Sequence, residues 1–175
     1  MQKVKGTSGN SSDDCTAYEY YGDKGLLKAK KELYNLSNNT SPVVTQYEYD
    51  SFGRLLKTIH PDQTLSFTET TFAGTAGGQV PSGAVLKVKK YTKTLSNQEW
   101  GVSISYFDRQ GNELRSVAQN LSGTYIYADQ VYDEYNRLVE AKEPYFAGSS
   151  TNLKTSYTYD ALGRVLTVTA PDGTI

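Results

Sequence analysis

The stretch that decides the fold is YEYDSFGRLLKTIHPDQT at residues 47–64, because it returns almost position by position as YTYDALGRVLTVTAPDGT at residues 157–174. Each copy carries an aromatic residue, an Asp, a Gly, an Arg and a Leu or Val, and then a Pro-Asp sequence. A repeat of this kind indicates one structural unit that packs mainly against its neighbours. Function is therefore to be sought in what the units build.

Weaker copies lie in the same register. They are YEYYGDKGLLK at 18–28, SYFDRQGNELR at 105–115 and VYDEYNRLVEAKEP at 131–144. Asn136 takes the glycine position of the last of these, and Asn tolerates a left-handed backbone better than most residues. The step from Tyr49 to Phe107 is about twice the other steps, as expected for a missing copy in a repeat array. We expect a degenerate or inserted unit within residues 70–100.

The unit predicts a β-hairpin. Tyr47 and Tyr49 share one face of the incoming strand, Asp50 accepts hydrogen bonds from the amides that follow it, and Gly53 supplies the positive φ of the turn. A second turn follows at residues 60–63, where proline presets φ. Each unit therefore reads as strand, turn, strand, turn. The predicted fold class is all-β, with repeated antiparallel hairpins that form an extended, curved or spiralling sheet.

Composition bounds the domain organisation. The polar residues 6–14, GTSGNSSDD, predict a flexible N-terminal segment over residues 1–16. Residues 17–175 are predicted to be one β-sheet region of about five to six repeat units, with the loop or degenerate unit at 70–100 projecting from the sheet. A hydrophobic share of 37% and a mean hydropathy of −0.57 are low for a compact core, yet fifteen Tyr are too many for a disordered chain. A sheet in which each unit packs on its neighbours fits both facts.

Charge and residue counts argue against several classes of function. A net charge of −1 gives no basic stripe for nucleic acid, and no run approaches the roughly 18 apolar residues that cross a membrane. Cys15 stands alone, which excludes an internal disulfide. His60, the one histidine, aligns with Ala170 and reads as a turn residue. We expect no catalytic residue, no cofactor and no metal ligand.

The aspartates recur at one position of the unit. They are Asp50, Asp108, Asp133 and Asp160. A catalytic pair of carboxylates would be expected once, at one place, so repetition favours a structural role at the turn. A hydrolase that uses two unidentified carboxylates stays an alternative. The arginines that follow the turns, Arg54, Arg137 and Arg164, suggest the hypothesis that they tie the turn carboxylates of adjacent units.

The pattern Y-D-x-x-G-R-L, seen as YDSFGRLLK and YDALGRVLT and followed by P-D-x-T, resembles the YD repeat of the Rhs family. The segment with YFDRQGNEL, YDEYNRL and EPYFAG is similar to the repeat region of bacterial Rhs and toxin-complex-like proteins. The resemblance implies a structural, non-enzymatic fragment of a secreted or cell-surface bacterial protein. Its repeats would coil into a shell that encloses a C-terminal toxin or effector.

The resemblance also assigns roles. The wall-building motif residues would be Tyr49, Asp50, Gly53, Arg54, Leu55, Asp108, Gly111, Tyr132, Asp133, Arg137, Tyr159, Asp160, Gly163 and Arg164. The expected partners are the neighbouring repeats of the parent chain and its C-terminal effector, with no nucleic acid and no membrane insertion. The alternative function is a carbohydrate-binding or cell-surface-binding module that uses exposed aromatics such as Trp100. Cut sheet edges predict that the isolated fragment self-associates.

Overall fold

The computed structural model describes residues 2–5, 14–35, 41–149 and 153–175. These residues form strands and turns, and none of them lies in a helix. The strands are β1 (Gln2–Lys5), β2 (Asp14–Tyr20), β3 (Leu27–Asn35), β4 (Val43–Tyr49), β5 (Leu55–Ile59), β6 (Leu65–Phe72), β7 (Leu86–Lys93), β8 (Glu99–Phe107), β9 (Glu113–Gln119), β10 (Tyr125–Tyr132), β11 (Leu138–Lys142), β12 (Tyr145–Phe146), β13 (Lys154–Tyr159) and β14 (Val165–Thr169).

The strands hydrogen-bond in chain order. Each pairs with the next one along the chain, except that β11 pairs with β13 while the short β12 pairs with β10. The registered pairs are antiparallel, as in the hairpin of β4 with β5, where Tyr47 lies opposite Thr58. The predicted all-β class with repeated antiparallel hairpins is confirmed.

One turn geometry recurs along the described chain. In a five-residue turn the first N–H donates to the carbonyl of the fifth residue, and the fourth N–H donates to the carbonyl of the first. This geometry is found at 50–54, 60–64, 94–98, 108–112, 120–124, 133–137, 160–164 and 170–174. The fourth residue has a positive φ in every one of them: Gly53, Gln63, Asn97, Gly111, Gly123, Asn136, Gly163 and Gly173. It is a type I turn closed by a left-handed residue, the three-residue hairpin loop.

The left-handed residue explains the sequence of the tip. The strand register shifts just before the turn: Thr158 pairs with Thr167 and Tyr159 pairs with Val165, so the extra residue, Leu166, forms a bulge in the outgoing strand. Gly163 then turns the chain with φ of 80°. Asn136 does the same with φ of 67°, which accounts for an asparagine in the glycine position.

Contacts divide the chain into two compact units. Unit 1 takes in Met1–Thr68 and Tyr91–Trp100, as far as these residues are described. Its buried residues include Ala17 and Ala29, whose small side chains lie on β2 and β3. The ring of Phe67 stacks on that of Tyr91 at 5.0 Å between centroids. Aromatic stacking thus supplies much of what a larger aliphatic core would supply elsewhere.

Unit 2 takes in Glu69–Lys90 and Gly101–Ile175, again as far as described. Its core is a row across three strands, in which Ile104 of β8 lies opposite Val117 of β9, and Val117 lies opposite Tyr127 of β10. Tyr106 follows Ile104 on the same face of β8 and is 2% exposed. The predicted alternation of strand residues places this core on one face of the sheet.

Two parts of the chain bear on the predicted domain boundaries. Within the predicted N-terminal segment 1–16, residues 2–5 form β1 and residues 14–16 belong to β2, and Gln2 to Lys5 pair antiparallel with Cys15 to Tyr18. Residues 1 and 6–13 lie outside the described residues. The region 70–100 holds the end of β6, β7 and the start of β8. Between β6 and β7, the backbone carbonyl of Gln79 accepts a hydrogen bond from Arg115 of β9 at 3.1 Å.

Replacement of Gly163 by alanine tests the turn geometry. No neighbouring atom lies within 4 Å of an added Cβ, so the substitution isolates the cost of the left-handed backbone. We expect Gly163→Ala to lower the free energy of unfolding by about 1 kcal/mol. Gly22→Ala is the matched control, because its Cβ also meets open space and its φ is not positive. Equal unfolding midpoints in urea for the two variants would contradict the assignment.

Candidate functional site

The first chemical feature is the aspartate that opens each tip turn. Oδ1 of Asp50 accepts the backbone N–H of Phe52 and of Arg54, both at 2.9 Å. The same pair of bonds, to the residues two and four positions later, is made by Asp108, Asp133 and Asp160. These carboxylates therefore replace water on the turn amides, as an aspartate at a turn start does.

The arginine after the turn binds the carboxylate of its own turn. Nε of Arg54 donates to Oδ2 of Asp50 at 2.6 Å, and Arg137 and Arg164 make the same bond to Asp133 and Asp160 at 2.8 and 2.7 Å. The hypothesis that these arginines tie carboxylates of adjacent units is therefore wrong. The turn brings its first and fifth residues face to face, so the nearest carboxylate is always the local one.

Hydrogen bonding sets the ionisation of these carboxylates. The backbone N–H of Arg54 and then its guanidinium lower the pKa of Asp50, and Arg164 lowers the pKa of Asp160 in the same way. Desolvation raises the pKa of Asp133, but the backbone and side-chain bonds from Arg137 outweigh it, so that this pKa is also lowered. The turn aspartates are thus anions fixed by donors, not proton carriers.

A second contact links consecutive repeats through an arginine and a tyrosine. The guanidinium of Arg137 lies 4.7 Å from the ring centroid of Tyr159, the aromatic residue of the next copy. Its Nη1 donates to the carbonyl of Asp160 at 3.4 Å. The hydroxyl of Tyr159 in turn donates to the carbonyl of Leu138 at 2.6 Å. The tyrosine and aspartate of one repeat therefore contact the arginine and leucine of the preceding repeat across the junction of two hairpins.

The other predicted motif residues occupy equivalent places. Tyr49, Tyr132 and Tyr159 are half-buried and directly precede their aspartates, and Leu55 is the first residue of β5. Gly53, Gly111 and Gly163 are the left-handed fourth residues of the turns. His60 lies in a turn, where its Nε2 is 2.7 Å from Oγ of Ser66, and Cys15 lies in β2.

Sequence reasoning missed a partly buried charged cluster. Arg115 on β9 lies opposite Asp129 on β10, and its Nε and Nη2 donate to the two carboxylate oxygens at 2.5 and 2.8 Å. The hydroxyl of Tyr145 donates to Oδ2 of Asp129 at 2.7 Å. The Arg115 guanidinium also lies 4.8 Å from the ring centroid of Tyr127. Both charged side chains are 13% exposed, so this pair is shielded from solvent far more than the turn pairs.

In the sequence, this cluster is indicated only by the segment EPYFAG at residues 143–148, which contains Tyr145. The same segment forms β12, where Tyr145 lies opposite Tyr127 and the rings meet edge to face at 5.8 Å. Desolvation raises the pKa of Asp129, but hydrogen bonds from Arg115 and Tyr145 lower it overall. The cluster therefore fastens β12 to β9 and β10.

The turns at 60–64 and 170–174 carry a smaller version of the aspartate cap. Oδ1 of Asp62 accepts the N–H and hydroxyl of Thr64, and Asp172 does the same for Thr174. Asn120 caps the turn at 120–124 with its amide oxygen, which accepts the N–H groups of Ser122 and Thr124. That turn lacks the Pro-Asp sequence and was not predicted.

Unit 1 and unit 2 each have a polar groove beside the junction of two consecutive hairpins. The groove of unit 2 has a volume of about 360 Å³ and is lined by Asp108, Asn112, Tyr132, Asp133 and Glu134, among others. The groove of unit 1, of about 340 Å³, is lined by Tyr21, Leu26, Glu48, Tyr49 and Asp50, among others. Both lie beside a turn in which another residue, Asn112 or Leu26, follows the glycine instead of arginine.

None of the three aspartates that line the unit 2 groove has the raised pKa of a general acid. The pKa values of Asp108, Asp129 and Asp133 are all lowered, whereas a glycosidase needs one carboxyl whose pKa is raised. Within the described ranges, no group of three or more His, Cys, Asp or Glu side chains is placed to hold a metal ion. No helix long and apolar enough to span a membrane occurs in the described part of the chain.

The geometry defines a class of protein: a β-hairpin repeat protein whose turns are capped by aspartate and locked by arginine and tyrosine. Comparison with known families adds one match. Residues 146–175 match the family profile of the RHS Repeat. The chain carries an RHS repeat, which confirms the resemblance to the Rhs/YD-repeat family drawn from the tyrosine-aspartate motifs. No curated protein matches the chain. RHS repeats are structural repeats, typical of extracellular or cell-surface proteins.

Two arginines with the same local salt bridge separate the turn contact from the junction contact. The Arg137 side chain is 29% exposed and also contacts Tyr159, whereas that of Arg164 is 75% exposed. We expect Arg137→Ala to lower the thermal midpoint by about 3 °C, because a partly buried cation–π contact is lost. Arg164→Ala should change it by about 1 °C or less, since an exposed pair contributes little. Equal shifts in differential scanning calorimetry would show that the junction contact is unimportant.

Asp129→Asn tests the shielded cluster. The substitution leaves the Arg115 guanidinium without its counter-charge in a site that is 13% exposed, so we expect a loss of about 3 kcal/mol in urea unfolding. Tyr145→Phe removes only the hydroxyl and should cost about 1 kcal/mol. The double replacement Arg115→Met with Asp129→Leu should recover most of the loss, because neither charge then remains. A single-variant loss no larger than that of Tyr145→Phe would contradict a stabilising role for the ion pair.

Proposed function

We propose that this chain is a wall segment of an Rhs-type repeat shell that encloses a C-terminal toxin or effector of the same parent protein, and that it is not catalytic. The observation that carries the proposal is the Asp-capped turn repeated at Asp50, Asp108, Asp133 and Asp160 with the same two bonds. A wall needs one unit that can be added many times in the same geometry. A catalytic centre needs one unique place.

The use of tyrosine supports a wall over the alternative of carbohydrate binding. A sugar-binding face presents aromatic rings to solvent, and Tyr91, Tyr106 and Tyr127 are only 2% to 8% exposed. Trp100 and Tyr135, at 51% and 69% exposed, are the rings that the alternative would use. The hydroxyl of Tyr159 is bonded to the backbone of the preceding unit. Rings that pack between strands stiffen a sheet and are not free to stack on a ligand.

The proposal includes export of the parent protein to the cell surface or beyond. It also gives the chain its partners, namely the neighbouring repeats of the parent and the enclosed segment.

A protease-protection assay on the longest natural chain that contains these residues tests the proposal. The C-terminal segment is followed by immunoblot in the complete chain and in a chain that lacks residues 17–175. We expect the segment to survive in the complete chain and to be digested when the wall segment is deleted. Digestion of the denatured complete chain serves as the control that cleavage sites exist.

Point variants make the assay specific. Combined replacement of Asp133 and Asp160 by alanine removes two turn caps in unit 2 and should speed digestion of the C-terminal segment, whereas Gly22→Ala should not. A C-terminal segment that is digested equally fast with and without residues 17–175 would rule out enclosure. In that case the binding-module alternative would be tested on a glycan array.

A further inference from the structure

The turn at 108–112 departs from its sister turns at one position. Asn112 stands where Arg54, Arg137 and Arg164 stand in the other aspartate turns. Its side-chain nitrogen donates to Oδ2 of Asp108 at 2.8 Å and also bonds to Asn136. Asp108 keeps its backbone bonds, so the turn is intact. What it lacks, among the described residues, is a cationic partner for its carboxylate.

The junction at Arg137 shows what the missing arginine would do. There the guanidinium is held by the turn carboxylate of Asp133, the ring of Tyr159 and the carbonyl of Asp160. At the Asn112 junction, the equivalent groups are the carboxylate of Asp108, the ring of Tyr132 and the carbonyl of Asp133. These three residues all line the groove of unit 2. The groove thus brings together the residue types that hold a guanidinium elsewhere in the same unit.

The electrostatics of the groove agree with this comparison. Glu134 also lines it, next to Asp133 on the following turn. Burial raises the pKa of the Tyr132 hydroxyl, and the negative charges of Glu113 and Asp108 raise it further. Lys142, the cation that lines the groove, lies 3.9 Å from Asp129, to which Arg115 is also bonded. The Asp108 side of the groove therefore carries uncompensated negative charge.

We propose that the groove between the turns 108–112 and 133–137 binds the guanidinium group of an arginine side chain from a partner polypeptide, which replaces in trans the arginine that Asn112 does not supply. The planar guanidinium donates to Oδ2 of Asp108 and stacks on Tyr132, as Arg137 does with Asp133 and Tyr159. A lysine ammonium fits less well, because it cannot stack as a plane while it donates in plane. This site does not depend on whether the parent chain encloses an effector.

The comparison with unit 1 supports the choice of groove. Leu26 follows the glycine there, but Tyr21 takes the place of the turn aspartate, so the first carboxylate of the guanidinium site is absent. The unit 1 groove therefore serves as an internal control within the same chain.

The test is a titration of the isotope-labelled chain with N-acetyl-L-arginine methylamide, followed by NMR. We expect shifts at the amides of Gln110 and Asn112 and at the ring of Tyr132. The isosteric, uncharged citrulline derivative should bind about tenfold more weakly, as should the lysine derivative. No arginine binding, equal binding of citrulline, or shifts located away from this groove would overturn the proposal.

Three variants sharpen the result. Asn112→Arg should abolish binding and raise the melting temperature, because the arginine then fills its own slot as in the sister turns. Asn112→Gln keeps a neutral amide and should bind like the native chain. Asp108→Asn should lower affinity about tenfold while the turn stays folded, since Asn120 caps the same turn type with its amide oxygen. Undiminished arginine binding by Asn112→Arg or by a folded Asp108→Asn would overturn the proposal.

Discussion

Five of the eight tip turns found among the described residues depend on one interaction: a side-chain oxygen at the first position of the turn that accepts two backbone N–H groups of that turn. Asp50 shows it most fully, because its Oδ1 takes the amides of Phe52 and Arg54 while its Oδ2 takes the arginine side chain. The cap gives acceptors to two turn amides that the backbone of the hairpin leaves without one. In the capped hairpin of β4 with β5 the register is fixed at the tip, and the outgoing strand carries a one-residue bulge, Leu56, opposite the step from Glu48 to Tyr49. Everything that the strands carry on their faces is positioned from there.

Fixed register explains how a chain of low hydropathy builds an interior. On β8, β9 and β10 the apolar row of Ile104, Val117 and Tyr127 lies beside the polar pair of Arg115 and Asp129 on the same face. The guanidinium packs against the Tyr127 ring while both carboxylate oxygens receive donors. The described part of the chain has no buried side-chain nitrogen or oxygen without a hydrogen-bond partner. Such a satisfied network tolerates a sheet whose interior is made largely of tyrosine and alanine.

The hairpins whose turn begins with an aspartate were predictable because each rests on local signals, the aspartate and the glycine or asparagine three residues later. Asn136 was predicted in the same way, and its φ of 67° agrees. The pair of Arg115 and Asp129 was not predictable, because it arises from cross-strand register between residues that are 14 apart in sequence. The arginine hypothesis failed for a related reason. Sequence periodicity aligns equivalent residues of adjacent units, but only the folded turn shows that the arginine reaches its own aspartate first. Composition does not predict the strand at residues 2–5, because that strand rests on its pairing with residues 15–18.

Because each cap uses only residues of its own turn, the repeat copies can differ in sequence at other positions. Since the cap at Asp108 needs only its own carboxylate and two backbone amides, the residue after the glycine can change from arginine to asparagine without loss of the turn. The contact that is lost lies at the junction with the next hairpin, where no guanidinium binds the tyrosine ring and the carbonyl and a groove remains. A repeat wall therefore acquires a distinct surface wherever one copy drops its arginine while the aspartate and the following tyrosine stay. Specific recognition in such a protein is to be sought where a copy departs from its consensus, because the consensus positions are already occupied by contacts within the wall.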